Sequence, residues 1–160
     1  GFSRQIFFVQ LGGWDHHDEL LINQAGKLTQ VNDALKYFND VMTELNTNDC
    51  VTTFSVSDFA RTLTSNGNGT DHAWGGNAFM MGGAVNGKDI YGNYPVLALN
   101  SDADFQDGVM IPTTAADMYM AELALWFGVP ASELSTILPN ISNFYDTNSG
   151  VPPLGFMNMT

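Results

Sequence analysis

Short apolar runs and one long amphipathic stretch alternate in the first third of the chain. The runs at residues 5–11 and 51–56 are rich in aromatic and β-branched residues, and Gly12-Gly13 and Ser57-Asp58 follow them directly. Such runs predict buried strands that feed loops. Between them, from about Ala25, apolar residues recur at steps of three and four, which predicts an amphipathic helix. This stripe consists of Leu28, Val31, Leu35, Phe38, Met42 and Leu45.

The order strand, helix, strand predicts a βαβ unit with parallel pairing and a right-handed connection. The turn formers at 46–49 are expected to end the helix. Residues 77–81 predict a third, shorter strand, and residues 85–92 predict a hairpin with Asn-Gly at its turn. The region between Thr62 and Gly76 is expected to be a polar loop, because glycine and asparagine are frequent there.

Two helices are predicted in the C-terminal third. A threonine cap at 113–114 precedes a nearly all-round apolar stretch that stops at Gly128, which is typical of a buried helix. A short helix is expected to begin within 129–134 and to end at Pro139. The expected fold class is therefore α/β, with a parallel sheet flanked by helices in a single domain that covers residues 1–160.

Composition and charge exclude some classes of partner. The chain of 160 residues is 44% hydrophobic, which is sufficient for a packed core. It has 5 basic and 17 acidic residues and a net charge of -12, which repels nucleic acid and anionic lipid. No apolar run approaches the length of about 20 residues that a membrane span needs. The acidity predicts a well-solvated surface or, alternatively, a surface that attracts cations.

Acidic and histidine-bearing turns follow the first two strands, and a third lies within the polar loop. Ligands of open α/β sheets bind outside the carboxyl ends of parallel strands, so these turns are expected to meet. The candidate metal ligands are Asp15, His17, Asp58, Asp71 and His72. Nitrogen and oxygen donors without sulfur suit zinc, manganese, magnesium or calcium. The alternative is that the aspartates cap backbone amides and the histidines are ordinary polar residues.

Arg61 lies just after the second of these turns. Its guanidinium could hold an oxygen of a phosphate or sulfate group in a bidentate contact. Alternatively, it could pair with Asp58 and anchor the loop. The residues therefore predict either an anion anchor or a loop anchor at this position.

Four ordered motifs carry a resemblance to a known family. They are Gly-Gly-Trp-Asp-His-His at 12–17, Ser-Asp-Phe-Ala-Arg-Thr at 57–62, Asn-Gly-Thr-Asp-His-Ala-Trp-Gly-Gly at 68–76 and Gly-Gly-Ala-Val-Asn-Gly-Lys-Asp-Ile-Tyr-Gly at 82–92. In order and spacing they resemble the exported, sulfatase-like family called domain of unknown function 1501. The resemblance implies an alkaline-phosphatase-like fold, of which this chain is the C-terminal part, and a periplasmic or extracellular location.

The same resemblance implies functional residues. Asp15, His17 and His72 resemble the ligands of one metal site, and Asp58 resembles a ligand of a second. Phe59 stands where the superfamily has a histidine, which argues against two metals. The nucleophile would lie outside this chain, so the expected partner is the remaining N-terminal part of the protein or another chain.

Two functions are therefore expected. The first is a metal-dependent hydrolase of phosphate or sulfate esters, and the second is a non-catalytic exported binding or surface-assembly protein. Carbohydrate binding through Trp14 and Trp74 is a third possibility.

Overall fold

The computed structural model describes residues 3–159 as a mixed α/β protein, in agreement with the predicted class. The helices are α1 (Leu20–Glu44), α2 (Ala116–Phe127) and α3 (Leu134–Ile137). The strands are β1 (Thr52–Phe54), β2 (Ala60–Ser65), β3 (Thr70–Ala73) and β4 (Met80–Gly82). Single 3-10 turns lie at Asn48–Cys50, Ala131–Glu133 and Ile141–Asn143.

The predicted helices are confirmed, with corrections at their ends. The first begins at Leu20, earlier than predicted, and ends just before the turn formers at 46–49. The second ends at Phe127 and is followed by Gly128, whose φ of 97° is in the left-handed region that glycine adopts without strain. The predicted threonine cap is wrong, because Ala115 precedes α2 and no side chain caps it. The short helix α3 ends before Pro139, as predicted.

The predicted parallel βαβ unit is wrong for the described residues. The strand β1 pairs antiparallel with β4, with Thr53 opposite Met81, and β2 pairs antiparallel with β3. Residues 5–11 are not part of a strand, although their composition predicts one. Apolar and β-branched residues fit well on a half-buried pleated surface. A strand nevertheless forms only where the backbone of a second segment is available for pairing.

The β2–β3 hairpin replaces the predicted polar loop between Thr62 and Gly76. The two strands are joined by residues 66–69, which contain an Asn-Gly pair. The predicted hairpin at 85–92 is also wrong, since Val85 instead forms an isolated antiparallel bridge with Met157. The C-terminal segment therefore packs back onto the middle of the chain.

Two small hydrophobic clusters form the core, and both include α2. One contains Ala84, Leu123, Phe156 and Met157, and the other contains Ala121, Leu134 and Ile141. Because α2 contributes to both clusters, it connects the C-terminal segment to the α3 region.

The helix α1 has no buried residue. Its N-terminal Leu21 and Ile22 are 86% and 73% exposed. Within residues 3–159, no helix combines the length and hydropathy that a transmembrane span requires. The packed part of the molecule therefore lies mainly after α1.

Candidate metal centre

The β2–β3 hairpin provides the rigid base of the candidate site. Its register places Arg61 directly opposite His72. Because directly opposite residues of an antiparallel pair project from the same face, both side chains reach the same region. The hairpin therefore presents a guanidinium and an imidazole side by side.

The turn that contains Asp15 and His17 is attached to this hairpin through its backbone. The Thr70 amide donates to the carbonyl of His16 at 3.3 Å, and the Asn66 side chain donates to the carbonyl of His17 at 3.2 Å. These bonds hold the turn against the end of the hairpin. In both hydrogen bonds the turn contributes only a backbone carbonyl group, so this attachment does not depend on the side chains of the turn.

The imidazoles of His17 and His72 converge on one oxygen of Asp15. The His72 Nε2 lies 2.7 Å and the His17 Nε2 lies 2.9 Å from the Asp15 Oδ1. One potential ligand atom from each residue lies within 4.8 Å of the other two. All three residues are exposed, so the cluster is open to ions and to small molecules in solution.

Two further contacts orient the imidazoles. The His17 Nδ1 lies 3.1 Å from the Asp71 Oδ1, which leaves Nε2 directed towards Asp15. The ring of Phe59 stacks on that of His72 with centroids 4.1 Å apart and planes 7° from parallel. Carboxylates that hold the distal nitrogen of a histidine are characteristic of metal sites, because they fix the tautomer and the ring direction.

Arg61 joins the turn to both strands. Its NH1 donates to the Thr70 carbonyl at 2.6 Å, and its NH2 donates to the Trp14 carbonyl at 2.8 Å and to Asp15 Oδ1 at 2.9 Å. The Arg61 side chain is only 19% exposed. Its contacts are those of a loop anchor, and its acidic partner is Asp15 rather than Asp58.

The donor set fits a divalent metal ion. A carboxylate and two neutral imidazoles are the ligand types that zinc and manganese accept, while calcium and magnesium prefer oxygen. An ion held by these three side chains would keep a position open for another molecule, as ions in catalytic rather than structural sites do.

Acid is expected to weaken the fold through Asp15. The His72 hydrogen bond is the largest cause that lowers the pKa of the Asp15 carboxyl, with help from Arg61 and from the charges of both histidines, and desolvation opposes it. Because the folded pKa is the lower one, the ionised carboxyl stabilises the fold above its unfolded value of about 3.9. This contribution is lost as the pH falls through the folded pKa.

The measurement is urea denaturation of the wild-type protein and Asp15→Asn between about pH 7 and about pH 3. Asp15→Asn should show a smaller loss of stability below about pH 4 than the wild type. Asp58→Asn, a change at an exposed residue outside the cluster, should keep the wild-type profile. Identical profiles for Asp15→Asn and the wild type would contradict the prediction.

Removing the guanidinium of Arg61 is expected to destabilise the packing of the 14–17 turn against the β2–β3 hairpin. Arg61→Met deletes hydrogen bonds to the two backbone carbonyls, which should lower the free energy of unfolding by about 2 kcal/mol. Lys36→Met is a matched control, because this lysine is exposed and pairs with Asp40 on the surface of α1; its effect should be within about 0.5 kcal/mol. Equal effects of the two changes in chemical denaturation would refute the anchor role.

Of the five candidate ligands that the sequence predicts, the structure brings together Asp15, His17 and His72, places Asp71 beside His17, and leaves Asp58 outside the cluster. Asp58 is exposed and does not belong to the cluster. His16, the additional histidine of the first turn, is 8% exposed and is separate from the cluster. The sequence did not predict that Asp71 orients His17 or that Phe59 stacks on His72. No local pattern in the sequence indicates either contact.

The fold and the cluster define a mixed α/β protein with an exposed carboxylate–bis-imidazole site. The family model described as "Protein of unknown function (DUF1501)" matches residues 3–136, and the chain belongs to this family. Neither a curated protein nor a solved structure matches the chain.

Proposed function

We propose that Asp15, His17 and His72 bind one divalent metal ion in an exported hydrolase of phosphate or sulfate esters. The convergence of all three side chains within 4.8 Å is the observation that supports the proposal. The sequence resemblance to the alkaline phosphatase superfamily suggests the reaction class and a periplasmic or extracellular location. The hydrogen bond that the Asp71 carboxylate accepts from His17 Nδ1 adds support, because it orients this histidine as a ligand would be oriented.

A bound divalent ion supplies a Lewis acid that polarises an ester oxygen. The residues of this chain hold and orient that site. His72 is supported by the Phe59 ring, and Asp15 is supported by Arg61. Asp58, which lies outside the cluster, is proposed as an outer carboxylate near the substrate. The nucleophile is proposed to come from polypeptide outside these residues.

Metal content is the direct test of the site. The purified protein incubated with zinc or manganese should retain close to one equivalent by elemental analysis, whereas Asp15→Ala and His72→Ala should retain almost none. Asp58→Ala is the matched control, since it removes an exposed carboxylate that is not a member of the cluster. Circular dichroism of each variant separates metal loss from unfolding.

Two results would overturn the metal site. The first is a wild-type protein that retains no metal after incubation, and the second is an Asp58→Ala variant that loses metal as fully as His72→Ala. If the metal is retained as expected, hydrolysis of p-nitrophenyl phosphate and p-nitrophenyl sulfate by the full natural polypeptide tests the reaction class.

A non-catalytic exported protein that binds a partner or forms a surface assembly is the second candidate. The contacts of Arg61 and Phe59 favour it. Three of the five N–H donors of Arg61 are engaged by two carbonyls and by Asp15, and Phe59, which stacks on His72, has no atom that could bind a second metal. A metal-loaded protein that cleaves neither ester would support this candidate.

A further inference from the structure

The segment between β4 and α2 folds around an open cleft. The volume of the cleft is about 450 Å³, which is within the range of small-molecule sites. Its lining residues are Pro95, Val96, Ser101, Asp102, Ala103 and Thr113. None of them belongs to the candidate metal centre, so the cleft is a separate place for a ligand.

Both hydroxyl groups of the lining residues use their protons within the fold. The Ser101 hydroxyl donates to the Val96 carbonyl at 3.1 Å, and the Thr113 hydroxyl donates to the Asn93 carbonyl. A hydroxyl group has one proton and two lone pairs. Since each proton is already donated, the two oxygens remain available to a ligand only as acceptors.

Asp102 is the charged residue among those that line the cleft. It is exposed, and within residues 3–159 it takes part in no ion pair and no hydrogen bond. The neighbouring Asp104 differs, because its two oxygens accept from the amides of Asn100 and Gly108 at 2.8 and 2.9 Å. The fold therefore uses the carboxylate of Asp104 and leaves that of Asp102 available.

The sequence around the cleft is acidic and contains no cation. Lys88 is the last of the five basic residues, and residues 89–160 contain eight acidic residues. A negative surface of this kind attracts cations and repels anions. The remaining lining residues, Pro95, Val96 and Ala103, form an apolar wall, so a complementary ligand combines a positive charge with an apolar part.

We propose that the cleft binds the primary ammonium group of a small amine that has an apolar body. Such a group carries one positive charge and three N–H donors, and it has no acceptor. It therefore complements the Asp102 carboxylate together with the oxygens of Ser101 and Thr113. The carbon chain lies against the apolar wall and removes apolar surface from water. This binding goes beyond the proposed hydrolase and needs no metal.

Saturation-transfer difference NMR with n-hexylammonium chloride tests the proposal on the full natural protein. The titration is made in about 0.15 M salt, which screens the separated charges of the surface. We expect saturable binding with a dissociation constant on the order of 1 mM, as is usual for so small a ligand. Transfer should be strongest to the protons of the hexyl chain, because these lie against the apolar wall.

Two isosteric variants locate the charge that binds the amine. Asp102→Asn keeps the shape of the side chain and removes its charge, so it should weaken binding roughly 10-fold. Asp107→Asn is the matched control, since Asp107 is an exposed aspartate of the same loop that does not line the cleft. It should change the affinity by less than about 2-fold. Circular dichroism confirms that each variant is folded.

The hydrogen-bond donors are tested by a ligand that lacks them. Hexyltrimethylammonium keeps the charge and the chain of hexylammonium but has no N–H group. It should bind roughly 5-fold more weakly, because the acceptors of the cleft then have no donor. Equal binding of the two ligands would show that charge alone is recognised, which would overturn the proposed donor pattern.

A lysine side chain of another polypeptide presents the same ammonium chemistry as a free amine. Nα-acetyl-lysine methylamide separates the two sources, since it places the ammonium group on a chain that ends in two amide groups. We expect it to bind more weakly than hexylammonium, because amide groups against the apolar wall lose their hydrogen bonds to water. Tighter binding of the lysine derivative would overturn the assignment of a small amine.

Three further results would overturn the amine site. They are no saturation transfer from hexylammonium at about ten times the expected dissociation constant, wild-type affinity in folded Asp102→Asn, and equal losses in Asp102→Asn and Asp107→Asn. Because Asp102 is exposed and unpaired within the described residues, its replacement is expected to leave the fold intact. The readout involves no metal, so it is independent of the proposed hydrolase.

Discussion

Replacing Glu122 with alanine is expected to lower the free energy of unfolding by about 4 kcal/mol. Glu122 on α2 is fully buried. Its Oε2 accepts from the amides of Leu154 and Gly155 at 2.6 and 2.7 Å, and its Oε1 accepts from the Met157 amide at 2.7 Å. Alanine would leave three amides without an acceptor, two of them partly buried, and each buried amide left unpaired costs about 1–3 kcal/mol.

Two variants test this interpretation by urea denaturation. Glu122→Gln keeps one carbonyl oxygen and should lose about half as much stability as Glu122→Ala, because one acceptor remains for the amides. Glu133→Ala changes an exposed glutamate and should stay within about 0.5 kcal/mol of the wild type. A loss below about 1 kcal/mol for Glu122→Ala would show that the C-terminal segment does not depend on this carboxylate.

The Glu122 contact also explains how the C-terminal segment reaches the core. Phe156 and Met157 belong to the same hydrophobic cluster as Leu123, the next residue of α2. The carboxylate therefore fixes the backbone of the segment, and the two apolar side chains fill the adjacent space. Loss of the carboxylate should loosen this cluster as well as the hydrogen bonds.

Replacing Gly69 with alanine is expected to weaken zinc binding at the proposed site by roughly 10–100-fold, the effect typical of losing a support of a metal ligand. An added Cβ would lie 2.2 Å from the carbonyl carbon of His17 and 2.6 Å from the carbonyl oxygen of His16. Both are backbone atoms, so the turn itself would have to move away from the hairpin. Such movement would separate Asp15 and His17 from His72.

Isothermal titration with zinc measures the change in affinity. Gly12→Ala is the control, because within residues 3–159 no atom beyond its two chain neighbours lies within 4 Å of its added Cβ, and it should bind zinc as the wild type does. Thermal unfolding of Gly69→Ala shows whether the fold persists while affinity falls. Wild-type affinity in a folded Gly69→Ala protein would contradict the dependence of the site on this backbone contact.

The helix predictions succeeded and some strand predictions failed, because helices and strands find their hydrogen-bond partners in different places along the chain. Helices close their hydrogen bonds within one segment, so the three- and four-residue spacing of apolar positions was sufficient to predict α1, and a nearly all-round apolar stretch was sufficient to predict α2. A strand closes its hydrogen bonds with another segment, and a local pattern does not identify that segment. This is why residues 5–11 have strand composition without strand structure, and why β1 pairs with β4.

The β2–β3 hairpin shows a signal that could have been used. Asn66-Gly67 is a strong turn signal, and it lies between Ala60–Ser65 and Thr70–Ala73. These flanking segments are polar and short, so the hydrophobic pattern does not predict them as strands. Their pairing depends on the turn and on contacts with residues 14–17 more than on apolar burial.

The sequence by itself determined the helices and supplied the chemical types of the candidate ligands, Asp15, His17 and His72, because helix periodicity and side-chain chemistry are local properties. Only the tertiary structure decided that Arg61 contacts Asp15, that Asp71 orients His17 and that Asp58 lies outside the cluster. Those contacts depend on strand register and on a backbone turn docked against a hairpin. Such long-range pairings have no fixed spacing along the chain, so no local pattern contains them.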